Sequence, residues 1–343
     1  MHHGFATVEG TGRLASRRTA PGGFGFYRQF ANLQVSSLGF GTYLGNPDET
    51  TDIAYRDAAI AAIRGGINFL DTAINYRDQR SERSIGDALA RLFATGDARR
   101  DEIVVATKAG FLTRGAVPEW LKPEDVSGGM HSMQPDFLAD QIDRSRANLD
   151  LDTIDIFYLH NPETQLGTVS REEFERRIRR AFAKLETLVV DGKLREYGTA
   201  TWEGYRAPAA KPPLDLARLV EIATEVGGIQ HHFRFVQLPF NFAMPEAFTN
   251  GVLDLASRSG IAVVASATLL QARLARNLPE GLSERFPGLT TDAQRAIQFT
   301  RSTPGILAAL VGMSRATHVT ENLMVAGVPP LTEHEYRDLY QRA

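Results

Sequence analysis

The sequence has no cysteine and no excess of charge of one sign: its 343 residues carry 38 Lys and Arg against 41 Asp and Glu. The lack of cysteine excludes disulfide bonds, thiolate metal sites and a cysteine nucleophile. The balanced charges lack the clustered cations of a nucleic-acid-binding protein. No apolar stretch is long enough to span a bilayer, and residues 1–26 lack the apolar core of a secretory signal. We therefore expect a cytoplasmic protein with neither a nucleic-acid nor a membrane partner; its oligomeric state is not readable from the sequence.

Apolar, β-rich segments alternate with helical patterns along almost the whole chain. Several of these segments are near-continuous apolar runs, as is typical of parallel strands covered on both faces. The predicted strands are residues 37–41, 68–70, 103–106, 154–159, 196–199, 235–238, 261–265 and 306–311. The clearest helix has Phe174, Ile178 and Leu185 on one face and stops near Gly192. Eight βα units in series predict one (β/α)₈ TIM barrel over residues 27–343, preceded by an N-terminal extension, 1–26.

Three predicted connections are long, and all of them would open at the same end of the barrel. They cover residues 109–134, 202–213 and 269–289, and loops of this length in a compact domain usually have a function. The side chains in them that we expect to line a substrate pocket, or else to pack within their own loops, are Trp120, Met130, Met133, Trp202 and Tyr205. His131 is a further candidate for facing the substrate.

A dinucleotide-binding fingerprint is one alternative for the first strand. Gly39 and Gly41 lie in that strand, and Gly45 follows it. The third glycine is one residue late for the G-x-G-x-x-G spacing, and eight units fit a Rossmann sheet poorly. The barrel is therefore the favoured fold.

Four polar side chains end or follow consecutive predicted strands: Asp71, Tyr76, Lys108 and His160. Taken singly, each has an ordinary explanation as a helix cap, a packing aromatic, a solvated charge or a hydrogen-bonded structural histidine. The carboxyl ends of barrel strands, however, converge on one mouth, which is where barrel enzymes have their active sites. The four together predict an active site.

This combination suits the reduction of a carbonyl group. A free tyrosine has a pKa near ~10, and we expect the ammonium of Lys108 to lower the pKa of Tyr76 so that the phenol can donate and recover a proton. Asp71 would hold the ammonium in place and keep it charged. His160 would polarise the carbonyl oxygen, on which negative charge develops.

The motifs around these residues resemble those of the aldo-keto reductases. The family's DTAxxY…SE motif is matched by residues 71–76 with Ser81 and Glu82, and residues 104–108, 158–160 and 235–237 resemble its strands in order. The segment 312–322 has a spacing similar to the potassium-channel β-subunit branch and its bacterial relatives. The resemblance runs from about residue 26 to residue 328.

The resemblance implies an oxidoreductase that reduces an aldehyde or ketone with NADP(H), and less readily with NAD(H). Its catalytic tetrad would be Asp71, Tyr76, Lys108 and His160, with Tyr76 as the proton donor. Gln237 would bind the nicotinamide carboxamide. Ser314 and Arg315 would bind the 2′-phosphate, since the guanidinium of Arg315 suits a phosphate group. The remaining residues that the resemblance assigns to the cofactor are Thr42, Thr201, Ser266, Gly312, Glu321 and Asn322.

The sequence departs from the family's pattern at three places. Arg77 stands where a glycine is common after the tyrosine, which makes that turn bulkier and more basic. Ala200 and Thr201 replace a Ser-Asn pair, and Ala265 replaces an aromatic that often stacks on the nicotinamide. These changes put particular cofactor contacts in question and leave the tetrad intact.

Two other functions are compatible with parts of this pattern. One is a slow-turnover, nicotinamide-binding redox sensor or regulatory subunit on the same fold, which would keep the same tetrad. The other is a metal-dependent hydrolase using Asp71 and His160, although such sites gather several His and acidic ligands, and the pair His231 and His232 precedes a strand at the opposite end of the barrel. We expect no metal.

Overall fold

The computed structural model describes residues 1–18, 25–206, 214–279 and 281–341. The strands in these ranges are β1 (Tyr27–Phe30), β2 (Leu33–Ser36), β3 (Leu38–Gly41), β4 (Phe69–Asp71), β5 (Val104–Ala109), β6 (Ile154–His160), β7 (Leu194–Ala200), β8 (Phe233–Pro239), β9 (Ala262–Ser266) and β10 (Ile306–Gly312). Within the described part of the chain, β3 to β10 form a closed, eight-stranded barrel in which β10 pairs with β3. All pairs in the barrel are parallel. The predicted (β/α)₈ barrel is confirmed.

Helices follow the barrel strands and cover the outside of the sheet. Those in the described ranges are α1 (Val8–Arg18), α2 (Glu49–Arg64), α3 (Arg80–Thr95), α4 (Pro135–Leu149), α5 (Arg171–Val190), α6 (Leu216–Gly227), α7 (Glu246–Thr249), α8 (Val252–Arg258), α9 (Leu282–Arg285), α10 (Asp292–Ser302), α11 (Ala316–Leu323) and α12 (Glu333–Gln341). Single-turn 3₁₀ segments lie at Arg100–Glu102, Pro123–Asp125, Arg273–Ala275 and Met324–Gly327, and a longer one at Pro162–Gly167. No helix within the described ranges combines the length and the apolarity needed to cross a membrane.

The eight predicted strands each coincide with a barrel strand, and the differences lie at their ends. β7 begins two residues before the predicted 196, and β8 begins two residues before the predicted 235. Arg195 and Arg234 interrupt the apolar run near these starts, but the backbone ladder still joins Tyr197 to Phe233. Hydrogen bonding of the backbone, rather than side-chain apolarity, therefore sets where these strands begin.

Helix boundaries follow local capping chemistry. Asp48 accepts a hydrogen bond from the Thr51 amide at 2.8 Å to begin α2, and Ser170 accepts one from the Glu173 amide to begin α5. The apolar face predicted for α5 is buried against the barrel. Each large side chain so buried contributes roughly 1.5–3 kcal/mol, so this face fixes the helix on the sheet.

The N-terminal end of the barrel is covered by the β1–β2 hairpin and by the chain before it. The Ala6 amide donates to Asp155 Oδ1 at 2.7 Å, and Arg13 of α1 pairs with Asp101 and Glu102. His232 pairs with Glu186 near this end, directly before β8. The opposite end, where the strands finish, is the one that carries the candidate site.

Candidate active site

A cavity of about 460 Å³ opens where the barrel strands end. It gathers residues from β3, β4, β6, β7, β8, β9 and β10 or from the loops directly after them. The predicted site residues that line it are Thr42, Asp71, Tyr76, His160, Thr201, Gln237, Ser266 and Gly312. Lys108 contacts Asp71 and is completely buried. The fold thus brings side chains far apart in the sequence to one mouth.

Lys108 and Asp71 form a buried ion pair at the end of β4 and β5. The Lys108 Nζ donates to Asp71 Oδ1 at 2.6 Å and to the Thr72 carbonyl at 2.8 Å. The Gln237 Nε2 donates to Asp71 Oδ2 at 2.7 Å. Burial lowers the pKa of Lys108 and raises the pKa of Asp71, and the attraction between the two groups opposes both shifts. Each partner therefore favours the charged form of the other in a buried position.

Tyr76 lies next to this pair. The Lys108 Nζ is 4.9 Å from the centre of the Tyr76 ring, and the Tyr43 and His160 rings are 5.1 and 5.8 Å away. Burial, the negative charge of Asp71 and the neighbouring Tyr43 raise the pKa of Tyr76 well above its ordinary value. The pKa of Tyr76 is thus raised and not lowered as expected, because burial and the negative charge of Asp71 dominate the surroundings of the phenol. The phenol is consequently protonated and neutral at ordinary pH.

His160 ends β6 and faces the same cavity. Burial lowers its pKa well below the ordinary value, and the charge of Lys108 and the neighbouring His131 lower it further. Its Nδ1 is buried and has no hydrogen-bond partner among the described residues. A neutral imidazole with an unused polar atom in the cavity wall is suited to binding a ligand.

Three of the expected cofactor residues already have partners within the protein. The Gln237 amide is bound to Asp71, and the Thr42 hydroxyl donates to the Asp71 carbonyl at 3.2 Å. The Thr201 hydroxyl donates to Glu163 and accepts from the Gly204 amide at 2.6 Å. These side chains hold the site together, and each has limited hydrogen-bonding capacity left for another molecule.

The sequence reasoning missed Glu163, which fixes the loop after β7. Its Oε1 accepts from the Thr201 hydroxyl and from the amides of Trp202 and Glu203, the last two at 3.0 and 3.2 Å. Trp202 lines the cavity, as predicted. The rest of the predicted loop, residues 207–213, lies outside the described residues.

The other cofactor candidates lie along one side of the cavity and beyond it. Ser266 and Gly312 line the cavity at the ends of β9 and β10. Arg315 precedes α11 in an extended conformation, exposed and without a capping bond to the helix. Ser314 precedes it and is partly exposed, whereas Glu321 and Asn322 lie in the last turn of α11, Asn322 being buried. Ser314, Arg315, Glu321 and Asn322 do not line the cavity itself.

Several other side chains line the cavity that the motifs did not single out: Tyr43, Leu44, Asn161, Thr268 and Gln271. Tyr43 and Leu44 directly follow Thr42 at the end of β3, so the rule that strand ends form the mouth would have found them. The hydroxyl of Thr268 is buried without a partner in the described structure, and nothing in its sequence neighbourhood signals this.

Some candidates for contact with a substrate are structural residues instead. His131 is fully buried: its Nε2 lies 2.8 Å from the His160 carbonyl, and its Nδ1 lies 3.1 Å from Gln165. Met133 and Tyr205 are also buried and do not line the cavity, because both pack into the hydrophobic core. Trp120 and Met130 are exposed but lie outside the cavity lining. Among the described residues, no three His, Asp or Glu side chains are grouped as a metal site requires.

Comparison with known proteins agrees with this fold. The model of the aldo/keto reductase family matches residues 37–281. The chain belongs to the aldo/keto reductase family.

Relatives cover nearly the whole chain at low identity. The uncharacterized oxidoreductase YqkF of Bacillus subtilis (strain 168) is 25% identical over 324 residues, covering 90% of this chain and 93% of that protein. A probable voltage-gated potassium channel subunit beta of Arabidopsis thaliana is also 25% identical, covering 88% of this chain and 90% of that protein. The crystal structure of an aldo/keto reductase from Klebsiella pneumoniae in complex with NADP and acetate is similar in fold, with a TM-score of 0.65, 20% identity, and coverage of 92% of this chain and 95% of that one.

Proposed function

We propose that this protein reduces an uncharged aldehyde or ketone to an alcohol with NADPH. The observation that carries the proposal is the arrangement of three groups around one cavity. The centre of the neutral Tyr76 ring lies 4.9 Å from the buried Lys108 Nζ, and the neutral imidazole of His160 lines the same cavity as Tyr76. A proton donor, a stabilising cation and a polarising group are the parts that carbonyl reduction needs.

The chemistry of the cavity wall fits a nicotinamide cofactor. The Thr268 hydroxyl and the His160 Nδ1 are buried polar atoms without partners in the described structure, and such atoms are costly unless a ligand or water binds them. Gln237, Ser266 and Gly312 line the same cavity at the ends of β8, β9 and β10. Arg315 and the free amides at the start of α11 suit an anionic group such as a 2′-phosphate.

The proposed reaction divides the work among the tetrad. Bound NADPH supplies a hydride to the carbonyl carbon. The His160 ring donates a hydrogen bond to the carbonyl oxygen, and Tyr76 gives its proton to that oxygen as the alcohol forms. The phenolate left on Tyr76 would be stabilised by Lys108, whose Nζ is 4.9 Å from the centre of the ring. Opposite unit charges separated by about 5 Å attract by roughly 3 kcal/mol at an effective dielectric constant of ~20. Asp71 keeps the ammonium charged, and solvent then returns a proton to Tyr76.

The walls of the cavity favour an uncharged substrate. No Lys or Arg side chain lines it among the described residues. Its lining includes the exposed side chains of Tyr43, Leu44 and Trp202, and the Tyr43 ring lies 5.1 Å from that of Tyr76. Lys108 has no exposed surface and is neutralised by Asp71. An anionic substrate would lose hydration without gaining a cation in return.

The test is NADPH oxidation with benzaldehyde, 4-formylbenzoate and glyceraldehyde, comparing the wild type with Tyr76→Phe. Tyr158→Phe is the matched control, since this second buried phenol is also close to Asp71 but does not line the cavity. We expect turnover that is fastest with benzaldehyde, falls by at least about 100-fold in Tyr76→Phe and persists in Tyr158→Phe.

The other outcomes separate the alternatives. Tight NADPH binding without turnover on any carbonyl would support the redox sensor or regulatory subunit, a function consistent with the name of the Arabidopsis relative. Absence of NADPH binding would contradict both. A preference for 4-formylbenzoate would contradict the uncharged substrate alone.

A further inference from the structure

The turn that follows Tyr76 has an unusual backbone. Arg77, Asp78 and Gln79 have φ angles of 50°, 53° and 71°, so three successive residues with side chains adopt the left-handed conformation. Each such residue costs roughly 1–2 kcal/mol relative to a right-handed one. A turn of this kind persists only where the surrounding structure holds it in place.

The start of this loop is tied to the barrel, and its end is tied to the neighbouring helices by the Arg77 side chain in addition to local hydrogen bonds such as Gln79 amide to Ile74 carbonyl at 2.9 Å. The Ile74 amide donates to the Lys108 carbonyl at 3.1 Å, which ties the segment before Tyr76 to β5. After Tyr76, the Arg77 side chain joins the loop to the helices, and only 2% of its surface is exposed. Tyr76 thus lies between a backbone anchor on the sheet and a side-chain anchor on the helices.

The guanidinium of Arg77 bridges α2 and α3. Its Nη1 donates to Asp52 Oδ1 at 2.7 Å, its Nε to the Ser81 hydroxyl at 3.1 Å and its Nη2 to the Ser84 hydroxyl at 3.2 Å. It also lies 4.8 Å from the centre of the Tyr55 ring. A planar group with several donors can make all of these contacts at once, and a lysine cannot.

We propose that Arg77 and Asp52 are a positioning pair that sets the place of the Tyr76 hydroxyl relative to Lys108 and the substrate. This inference rests on the proposed role of Tyr76 as proton donor. Arg77 does not line the cavity, so it would act on Tyr76 through the backbone that joins the two residues. Misplacing a reacting group by about 1 Å can reduce the rate by about 100-fold, so a shift of this turn should affect the chemical step.

The experiment compares Arg77→Ala, Arg77→Gly and Arg77→Lys with Arg80→Ala. Arg80 is a matched control because it also pairs with Asp52, at 2.5 Å, and begins α3 three residues after Arg77, yet is partly exposed. The measurements are kcat and KM for benzaldehyde, the Kd of NADPH, the pH dependence of kcat and the thermal midpoint of each variant. Tyr76→Phe is measured in parallel.

We expect kcat to fall by about tenfold or more in Arg77→Ala and Arg77→Gly, while KM and the Kd of NADPH stay within about twofold. The alkaline limb of the kcat–pH profile should move in both, because the surroundings of the phenol change. Arg77→Lys should recover part of kcat, since its ammonium can still pair with Asp52. Arg80→Ala should keep kcat within about twofold of the wild type.

Arg77→Gly decides between a positioning role and a purely structural one. Glycine adopts a positive φ without strain, so wild-type kcat and an unchanged pH profile in a folded Arg77→Gly would overturn the proposal. Equal loss of kcat in Arg80→Ala would also overturn it. If Tyr76→Phe retained full turnover, the proposed function would fail; if Tyr76→Phe were inactive and the Arg77 variants normal, this inference alone would fail.

Discussion

The buried pair of Lys108 and Asp71 allows stability to be separated from catalysis. Replacing Lys108 with Met keeps the aliphatic stem but leaves the Asp71 carboxylate with one remaining side-chain donor, Gln237. Replacing Asp71 with Asn keeps that donor satisfied but leaves the ammonium uncompensated. Removing one partner of a buried pair typically costs 3–5 kcal/mol, whereas removing both can be nearly neutral. We therefore expect each single variant to lose roughly 3 kcal/mol of unfolding free energy and the double variant less than the sum by on the order of 3 kcal/mol.

The assay is urea unfolding at neutral pH followed by circular dichroism, together with NADPH turnover on benzaldehyde. The double variant Lys108→Met/Asp71→Asn should be no less stable than either single variant, about 3 kcal/mol below the wild type, with an unchanged denaturant slope. It should remain inactive, because the phenolate of Tyr76 loses its cation. If the two single losses add up to the loss of the double variant to within about 0.5 kcal/mol, Lys108 and Asp71 are not coupled and the prediction fails. It is also refuted if the stable double variant turns over at the wild-type rate.

Three further predictions concern groups outside this pair. Burial raises the pKa of Glu196 from 4.5 to about 7 in the folded protein. The free energy of unfolding should therefore fall as the pH rises from the unfolded pKa to the folded one, because the unfolded state loses its proton first. Glu196→Gln should therefore unfold like the wild type near pH ~4 and be more stable by roughly 1–2 kcal/mol near pH ~8; equal stability at both would contradict this. The charged groups around Glu196 are His232, Arg234, Arg195 and Glu186. The buried Tyr158 hydroxyl has no hydrogen-bond partner in the described structure. Tyr158→Phe should therefore leave the free energy of unfolding in urea unchanged or raise it by up to about 1 kcal/mol. A clear loss of stability would contradict this. Arg315→Ala should weaken NADPH binding by about 10- to 100-fold and leave NADH binding unchanged, as measured by fluorescence titration; parallel losses for both cofactors would assign Arg315 another role.

Much of the barrel was predictable because its signals are local. The apolar runs of β5, β6 and β10 are buried on both faces, so their sequences mark them as parallel strands directly. The positions of Asp71 and His160 at the mouth of the barrel were predictable for the same reason, since each ends a strand, and Tyr76 lies in the loop directly beyond β4. The loops were less predictable: Met133 and Tyr205 are residues of the kind that line pockets, and only the tertiary structure shows that they are buried in the hydrophobic core.

The electrostatics of the site could not be read from residue types. Lys108 stands near Tyr76 in the barrel, but its hydrogen bonds go to Asp71 and Thr72, and the pKa of Tyr76 is raised rather than lowered. Such shifts depend on burial and on distances of a few ångströms between residues of different strands. Arg77 shows the same limit: its sequence position indicates a bulky, basic turn, whereas its contacts with α2 and α3 make it an anchor.

The sequence by itself thus determined the order of strands and helices, the end of the barrel that carries polar groups, and the four residues expected to do the chemistry. Those features follow from periodicity and from chain order, which are properties of neighbouring residues. The tertiary structure decided which of the polar groups are paired, which are neutral and which remain free to meet a ligand. These properties arise from burial and from contacts between residues such as Asp71 and Gln237, 166 positions apart, and no local pattern encodes them.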